Sequence, residues 1–164
     1  MLISRTDIES FKDVSIHTTD SKLNQFINEA QVFDLRPLLG DEFYFHVVNN
    51  PGTYTGLIDR SDFDVNGSTF EHYGLKSVLV EFFWARYTRQ GGFNDTPTGN
   101  TIKLTDFSTE TPKEDKRNEY KLSRQNANDY FELVKKYLDN SGIEYWKGTF
   151  CSEVKKGFRI SNIK

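Results

Sequence analysis

The stretch from Gly74 to Gly91 reads as a helix with apolar side chains on most of its surface. Leu75, Val78, Leu79, Phe82, Phe83 and Tyr87 recur at helical spacing, and Val80, Trp84 and Ala85 widen the apolar surface well beyond one stripe. Such a helix must lie at the centre of a core or under a second subunit. The 164 residues around it suffice for one domain with an appended arm or hairpin. Aromatic side chains (Phe 14, Tyr 8, Trp 2) far outnumber the three alanines, Ala30, Ala85 and Ala127, so large rings supply much of the burial. That composition argues against disorder. No stretch approaches the roughly 18 apolar residues of a membrane span, and no signal-peptide apolar segment follows Met1. Cys151 is the single cysteine, which excludes an intramolecular disulfide framework and a multi-cysteine zinc site and suits a reducing cytoplasm.

Other elements assemble around this helix. Ser4-Arg5-Thr6-Asp7 carries a cap signal for a short helix to about Lys12. A second start lies at Asp20, and Leu23, Phe26, Ile27, Ala30 and Phe33 form an amphipathic stripe. Pro37 suits a first turn, and residues 38–48 read as helix despite Gly40, up to the turn cluster Asn49-Asn50-Pro51-Gly52. Phe63 and Val65 alternate with Asp62 and Asp64 before Asn66-Gly67, which predicts a hairpin over about 61–72. Residues 93–110 read as a polar loop broken by Pro97 and Gly99, with a short strand available at Ile102 and Leu104. Thr111-Pro112-Lys113-Glu114 signals the start of a helix that ends near Asn140, with Gly142 as its stop. Its first half is charged, and Ala127, Tyr130, Phe131, Val134 and Leu138 give its second half an apolar stripe. The fold class is therefore mainly α: a helical bundle over 1–142 with a small β-hairpin, followed by an extended C-terminal arm, 143–164.

Signals for chemistry are weak. His17, His46 and His72 lie in separate segments without ligand spacing, and a lone histidine reads as a surface or core-edge group. Cys151 lacks an activating motif, and no phosphate-loop or nucleophile-elbow pattern occurs. Asp62-Phe63-Asp64-Val65-Asn66-Gly67 matches the first six positions of an EF-hand loop, but position 12 is Tyr73 where a bidentate glutamate is required. A hairpin explains those residues better. No catalytic, cofactor-binding or metal-binding residue is assigned.

Charge is unevenly divided. Residues 1–72 hold 12 acidic and 5 basic side chains, a net −7, and residues 73–164 hold 12 and 16, a net +4. Opposite halves can steer one subunit's front towards another's back, or simply be two solvated faces. Basic residues with interleaved aromatics, such as Lys155, Lys156, Arg159 and Lys164 with Phe158, and Lys113, Lys116, Arg117, Lys121 and Arg124 on the last helix, suit phosphate contact. Glu114, Asp115 and Glu119 on the same helix favour a solvated face or a protein contact.

Three segments carry a family likeness: Leu2-Ile3-Ser4-Arg5-Thr6-Asp7-Ile8; Ala30-Gln31-Val32-Phe33-Asp34-Leu35-Arg36-Pro37-Leu38-Leu39-Gly40; and Tyr73-Gly74-Leu75-Lys76-Ser77-Val78-Leu79 with Ala85-Arg86-Tyr87. Through them, most of residues 1–140 resembles the head-to-tail connector (adaptor, or ring) proteins of tailed bacteriophages, especially those of crAss-like phages. The resemblance implies a helical subunit in a ring of twelve copies beneath the portal protein. It would complete the head and give the tail or a further neck ring its docking surface, in the virion neck, after synthesis in the host cytoplasm. It also implies no enzymatic activity, no cofactor and no membrane, and only incidental contact with packaged DNA. A small nucleic-acid- or protein-binding module is the alternative. Phe93, Ile102, Leu104, Phe107, Trp146, Phe150, Lys155, Lys156, Phe158, Arg159 and Ile160 are the interface candidates, because they lie in segments without an amphipathic period. In a ring, such an arm can add its backbone to a neighbour's strand edge.

Overall fold

A computed structural model describes residues 1–14, 18–90, 93–96, 99–102 and 113–148. The chain is mainly helical with two small antiparallel hairpins. Helix α1, Arg5–Glu9, opens on a capping box: the Ser4 hydroxyl accepts from the Asp7 amide, and the Asp7 carboxylate accepts from the Ser4 amide at 2.8 Å. Helix α2, Asp20–Ala30, is capped by Thr19 and buries Leu23, Phe26, Ile27 and Ala30.

At that point the spacing changes. Gln31–Leu35 forms a π-helical turn, which holds more residues per turn than an α-helix and shifts the inward positions by one. Gln31, Asp34 and Leu35 are buried as a result, while Phe33, expected in the core stripe, is 64% exposed. Gln31 uses its burial, accepting the Leu2 amide at 2.7 Å and pinning the N-terminal segment. The helix expected across 38–48 is two helices, α3 (Arg36–Leu39) and α4 (Asp41–Asn49). Gly40 separates them at φ 77, a conformation open to glycine and outside the α-helix. Pro51–Tyr54 and α5, Thr55–Ile58, then lead into the predicted hairpin of β1 (Ser61–Val65) and β2 (Ser68–His72). Asn66 and Gly67 sit at φ 52 and 79, as a type I′ turn requires.

Helix α6, Gly74–Gln90, is the central helix, with Leu75, Val78, Leu79, Val80, Phe82, Phe83 and Ala85 all buried. It packs chiefly on α7, Lys113–Ser141, which contributes Ala127, Phe131, Val134 and Leu138, and on α2. Thr111 and Pro112, the expected cap, lie outside the described residues, but Gly142 ends α7 at φ 63 as expected. The 29-residue α7 spans about 43 Å and the 17-residue α6 about 25 Å. The two run antiparallel, with Trp84 on Glu119 at 2.9 Å and Tyr73 5.3 Å from Tyr130, so the charged first turns of α7 lie beside the last turns of α6 and the end of α7 reaches past α6 to the hairpin. Ser123 is the first buried residue of α7.

Two expectations are corrected here. In place of the expected loop, β3 (Phe93–Thr96) pairs with β4 (Gly99–Ile102), setting Phe93 opposite Ile102. Backbone pairing needs no apolar alternation, so these polar strands carried no period to read. The arm does not begin at 143 either. Ile143, Tyr145 and Trp146 pack against the core, and Trp146 lies 5.9 Å from Phe43 with its indole N–H on Asp139 at 2.7 Å.

A side chain at Gly74 would strike the backbone of the segment before the hairpin. Gly74 has φ 74, and a Cβ there would lie 2.4 Å from the Ile58 carbonyl oxygen and 2.5 Å from that of Asp59. Gly142 shares the positive φ but has nothing within 4 Å. Gly74→Ala should cost about 3 kcal/mol or more and Gly142→Ala only about 1 kcal/mol, read as shifts in the urea midpoint. Equal costs would show that the backbone contact at Gly74 can relax.

Candidate functional site

The π turn builds two structures at once, a buried ionic clamp and an exposed aromatic patch. Inward, Asp34 accepts from Arg86 of α6 at 2.6 Å and from Arg124 of α7 at 2.8 Å, and its side chain is only 3% exposed. Arg86 also reaches Glu29 at 3.3 Å. Burial works against the Arg86 charge, but Asp34 and Glu29 outweigh it and hold the guanidinium protonated more firmly than usual. Arg124 lies over the ring of Phe82 at 5.3 Å. Outward, Val32 and Phe33 are exposed, and Arg86 covers one face of Phe33 at 5.5 Å. Phe45 of α4, also exposed, has Arg36 over its ring at 5.0 Å. These exposed rings thus carry guanidinium groups whose carboxylate partners, Asp34, Glu29 and Asp41, come from the same subunit.

The same holds for the charge asymmetry as a whole. Lys76 joins Asp7 at 3.0 Å and Asp59 at 2.9 Å, and Lys147 joins Glu42 at 2.5 Å. With Arg86 and Arg124, four cations of the basic half pair with acids of the acidic half. Hydrogen bonds donated to Asp59 and Asp7 raise the Lys76 ammonium above its ordinary range. Much of the contrast in sequence is therefore spent inside the subunit. Arg124, a phosphate-contact candidate by sequence, is occupied by Asp34.

His72 corrects the view of lone histidines as surface or core-edge groups, since it is fully buried. Its Nδ1 accepts the Gly74 amide at 3.1 Å, which leaves Nε2–H to donate to Ser61 Oγ at 2.8 Å. Ser61 in turn donates to the Gly56 carbonyl at 2.7 Å. That network fits a neutral imidazole. His46 is half-buried, stacked on Tyr145 at 4.0 Å with Nδ1 against the Tyr54 hydroxyl at 2.7 Å, and His17 lies outside the described residues.

Of the interface candidates, Trp146 is held by its own subunit as described above. Phe93 and Ile102 have described backbone in the β3–β4 pair. Leu104, Phe107, Phe150, Lys155, Lys156, Phe158, Arg159 and Ile160 lie outside the described residues, as does Cys151. Sequence reasoning missed Val32, Phe33 and Phe45 as surface groups, because only the π turn, unmarked in the sequence, turns Phe33 outward. Among the described residues no group of three potential metal ligands converges. Asp62 and Asp64 instead extend from one face of β1, in strand register. No described helix is long and apolar enough to cross a membrane.

These features define a helical-bundle protein with a small acidic hairpin and an aromatic patch at a π turn. Residues 35–158 match DUF6712, a family of unknown function, and the chain belongs to that family. No curated protein and no solved structure matches it.

Two measurements test the polar interior. Asp34→Asn leaves Arg86 and Arg124 without a buried counter-charge and should cost about 3 kcal/mol in urea unfolding; a loss under about 1 kcal/mol would make the clamp a surface pair. Burial holds the His72 imidazolium pKa below its ordinary 6.5. The unfolded chain therefore binds a proton that folded His72 refuses. Its contribution is full above pH about 6.5 and is lost as the pH falls from there towards the lowered folded value. Urea unfolding of His72→Gln should show a flatter decline over that window than the native chain, and parallel profiles would show that His72 does not titrate differently on folding.

Proposed function

We propose that the chain is a ring-forming head-to-tail connector of a tailed bacteriophage, held in the virion neck between portal and tail. The reading rests on the resemblance of residues 1–140 to that family. One structural observation supports it: each subunit bears unlike exposed surfaces, the apolar side chains of Val32, Phe33 and Phe45 on one hand and the charged start of α7 on the other. Unlike surfaces on one subunit are what a heterologous, closing contact needs. Exposed rings such as Phe33 and Phe45 are groups that such a contact would bury. In this role the chain works by shape and contact, with no catalytic step and no cofactor.

Each ring subunit would complete the head after packaging and offer the tail, or a further neck ring, its docking surface. The experiment is native mass measurement of the purified chain, alone and mixed with the portal protein of the same phage. A stable complex with the portal carrying twelve copies is expected, and Phe33→Ser with Phe45→Ser should weaken it at least tenfold while the monomer stays folded. Failure to bind portal, combined with tight and salt-sensitive binding of free DNA, would overturn the reading in favour of a nucleic-acid-binding module.

A further inference from the structure

The β1–β2 hairpin is a two-stranded sheet with two unlike faces. One face carries Phe63, Val65, Phe70 and His72. Phe63 and His72 meet Tyr137 of α7, with ring centroids 5.6 and 4.5 Å apart, whereas Phe70, opposite Phe63, stays 46% exposed. The other face carries Asp62, Asp64, Thr69 and Glu71. Arg60 takes up Glu71, and Thr69 donates to Asp64 at 2.7 Å, while Asp62 and Asp64 remain exposed to solvent. β2 lies against α7, and no described strand lies beside β1.

A two-stranded ribbon with an open edge is a template for a third strand. Charge restricts which strand fits. A second β1 would set aspartate against aspartate, a destabilising cross-strand pair, whereas a strand with cations on alternate positions would be matched. The chain contains such a sequence in Val154-Lys155-Lys156-Gly157-Phe158-Arg159-Ile160. Lys155, Gly157 and Arg159 fall on one set of alternate positions, and Val154, Lys156, Phe158 and Ile160 on the other. Laid along β1 with Lys155 opposite Asp62, Gly157 falls opposite Asp64 and Arg159 lies diagonal to Asp64, while Lys156, Phe158 and Ile160 extend the face of Phe63 and Phe70.

We propose that residues 154–160 of one subunit add as a third strand to the β1 edge of a neighbouring copy, with Lys155 opposite Asp62 and Arg159 diagonal to Asp64. The neighbour is a second copy of this chain because a ring needs two unlike surfaces per subunit, and an acidic edge strand and a basic segment are such a pair. In that respect the inference rests on the ring reading.

Sedimentation velocity of full-length chains tests it, using a hairpin variant (Asp62→Lys with Asp64→Lys) and a tail variant (Lys155→Glu with Arg159→Glu). Circular dichroism checks that both stay folded. Each variant alone should self-associate at least tenfold more weakly than the native chain, because its strand and segment now carry like charge. An equimolar mixture should associate again, because each reversed surface finds its complement on the other variant. Native-like assembly by both single variants would overturn the strand contact and leave the ring reading standing. A native chain that stays monomeric, alone and with portal, would overturn both. Should the native chain be monomeric while the tail variant loses hydrogen-exchange protection at β1, the segment lies on its own hairpin, and the intersubunit contact is wrong.

Discussion

The two long helices and the N-terminal helical layer are joined in the interior through one carboxylate, Asp34. It takes Arg86 from α6 and Arg124 from α7, residues 52 and 90 positions away in sequence. A lone buried carboxylate would be costly, and Asp34 is tolerable in the interior because two arginines reach it. Their geometry fixes how α2 sits against the α6–α7 pair, beyond what apolar packing requires. The clamp in turn depends on the π turn. A regular α-helix continued from Ala30 would bring Phe33 towards the core, whereas the wider turn places Gln31, Asp34 and Leu35 there.

The outward consequence of that turn is the aromatic surface. Burying Asp34 displaces Phe33 into solvent, where Arg86 lies over its ring, and so the clamp and the exposed patch share an arginine. A core constraint and a contact surface are thereby coupled through one side chain. Charge behaves similarly elsewhere. Lys76, Arg86, Arg124 and Lys147 hold acids of the opposite half of the sequence, so the imbalance between halves largely fastens the fold together. Asp62 and Asp64 on the acidic face of β1 remain exposed to solvent.

Local signals were legible wherever a few neighbouring residues suffice. The box at Ser4 and Asp7, the stripe from Leu23 to Ala30, the Asn66-Gly67 turn, the stop at Gly142 and the burial of α6 all follow from spacing and cap chemistry. Gly40 was read as tolerated within a helix because its cost there is modest, yet its positive φ splits the segment. The β3–β4 pair went unread because its strands lack apolar alternation. Of the candidate contact residues, Trp146 was misplaced for a different reason. Its partners include Phe43, more than a hundred residues earlier, and nothing near Trp146 announces them.

The sequence by itself determined a mainly helical bundle around residues 74–90, a type I′ hairpin and the division of charge, because periodicity, caps and turn residues act over a few positions. Tertiary structure alone decided that Phe33 faces solvent, that Asp34 is a buried anchor, that His72 is a neutral core group and that 143–147 close onto α4. Each of those outcomes depends on which distant groups arrive at one place. A carboxylate is stable in a core only if arginines from other helices reach it, and a tryptophan is buried only if a pocket forms there. Such conditions are properties of the assembled packing, in which the burial of each group depends on all the others.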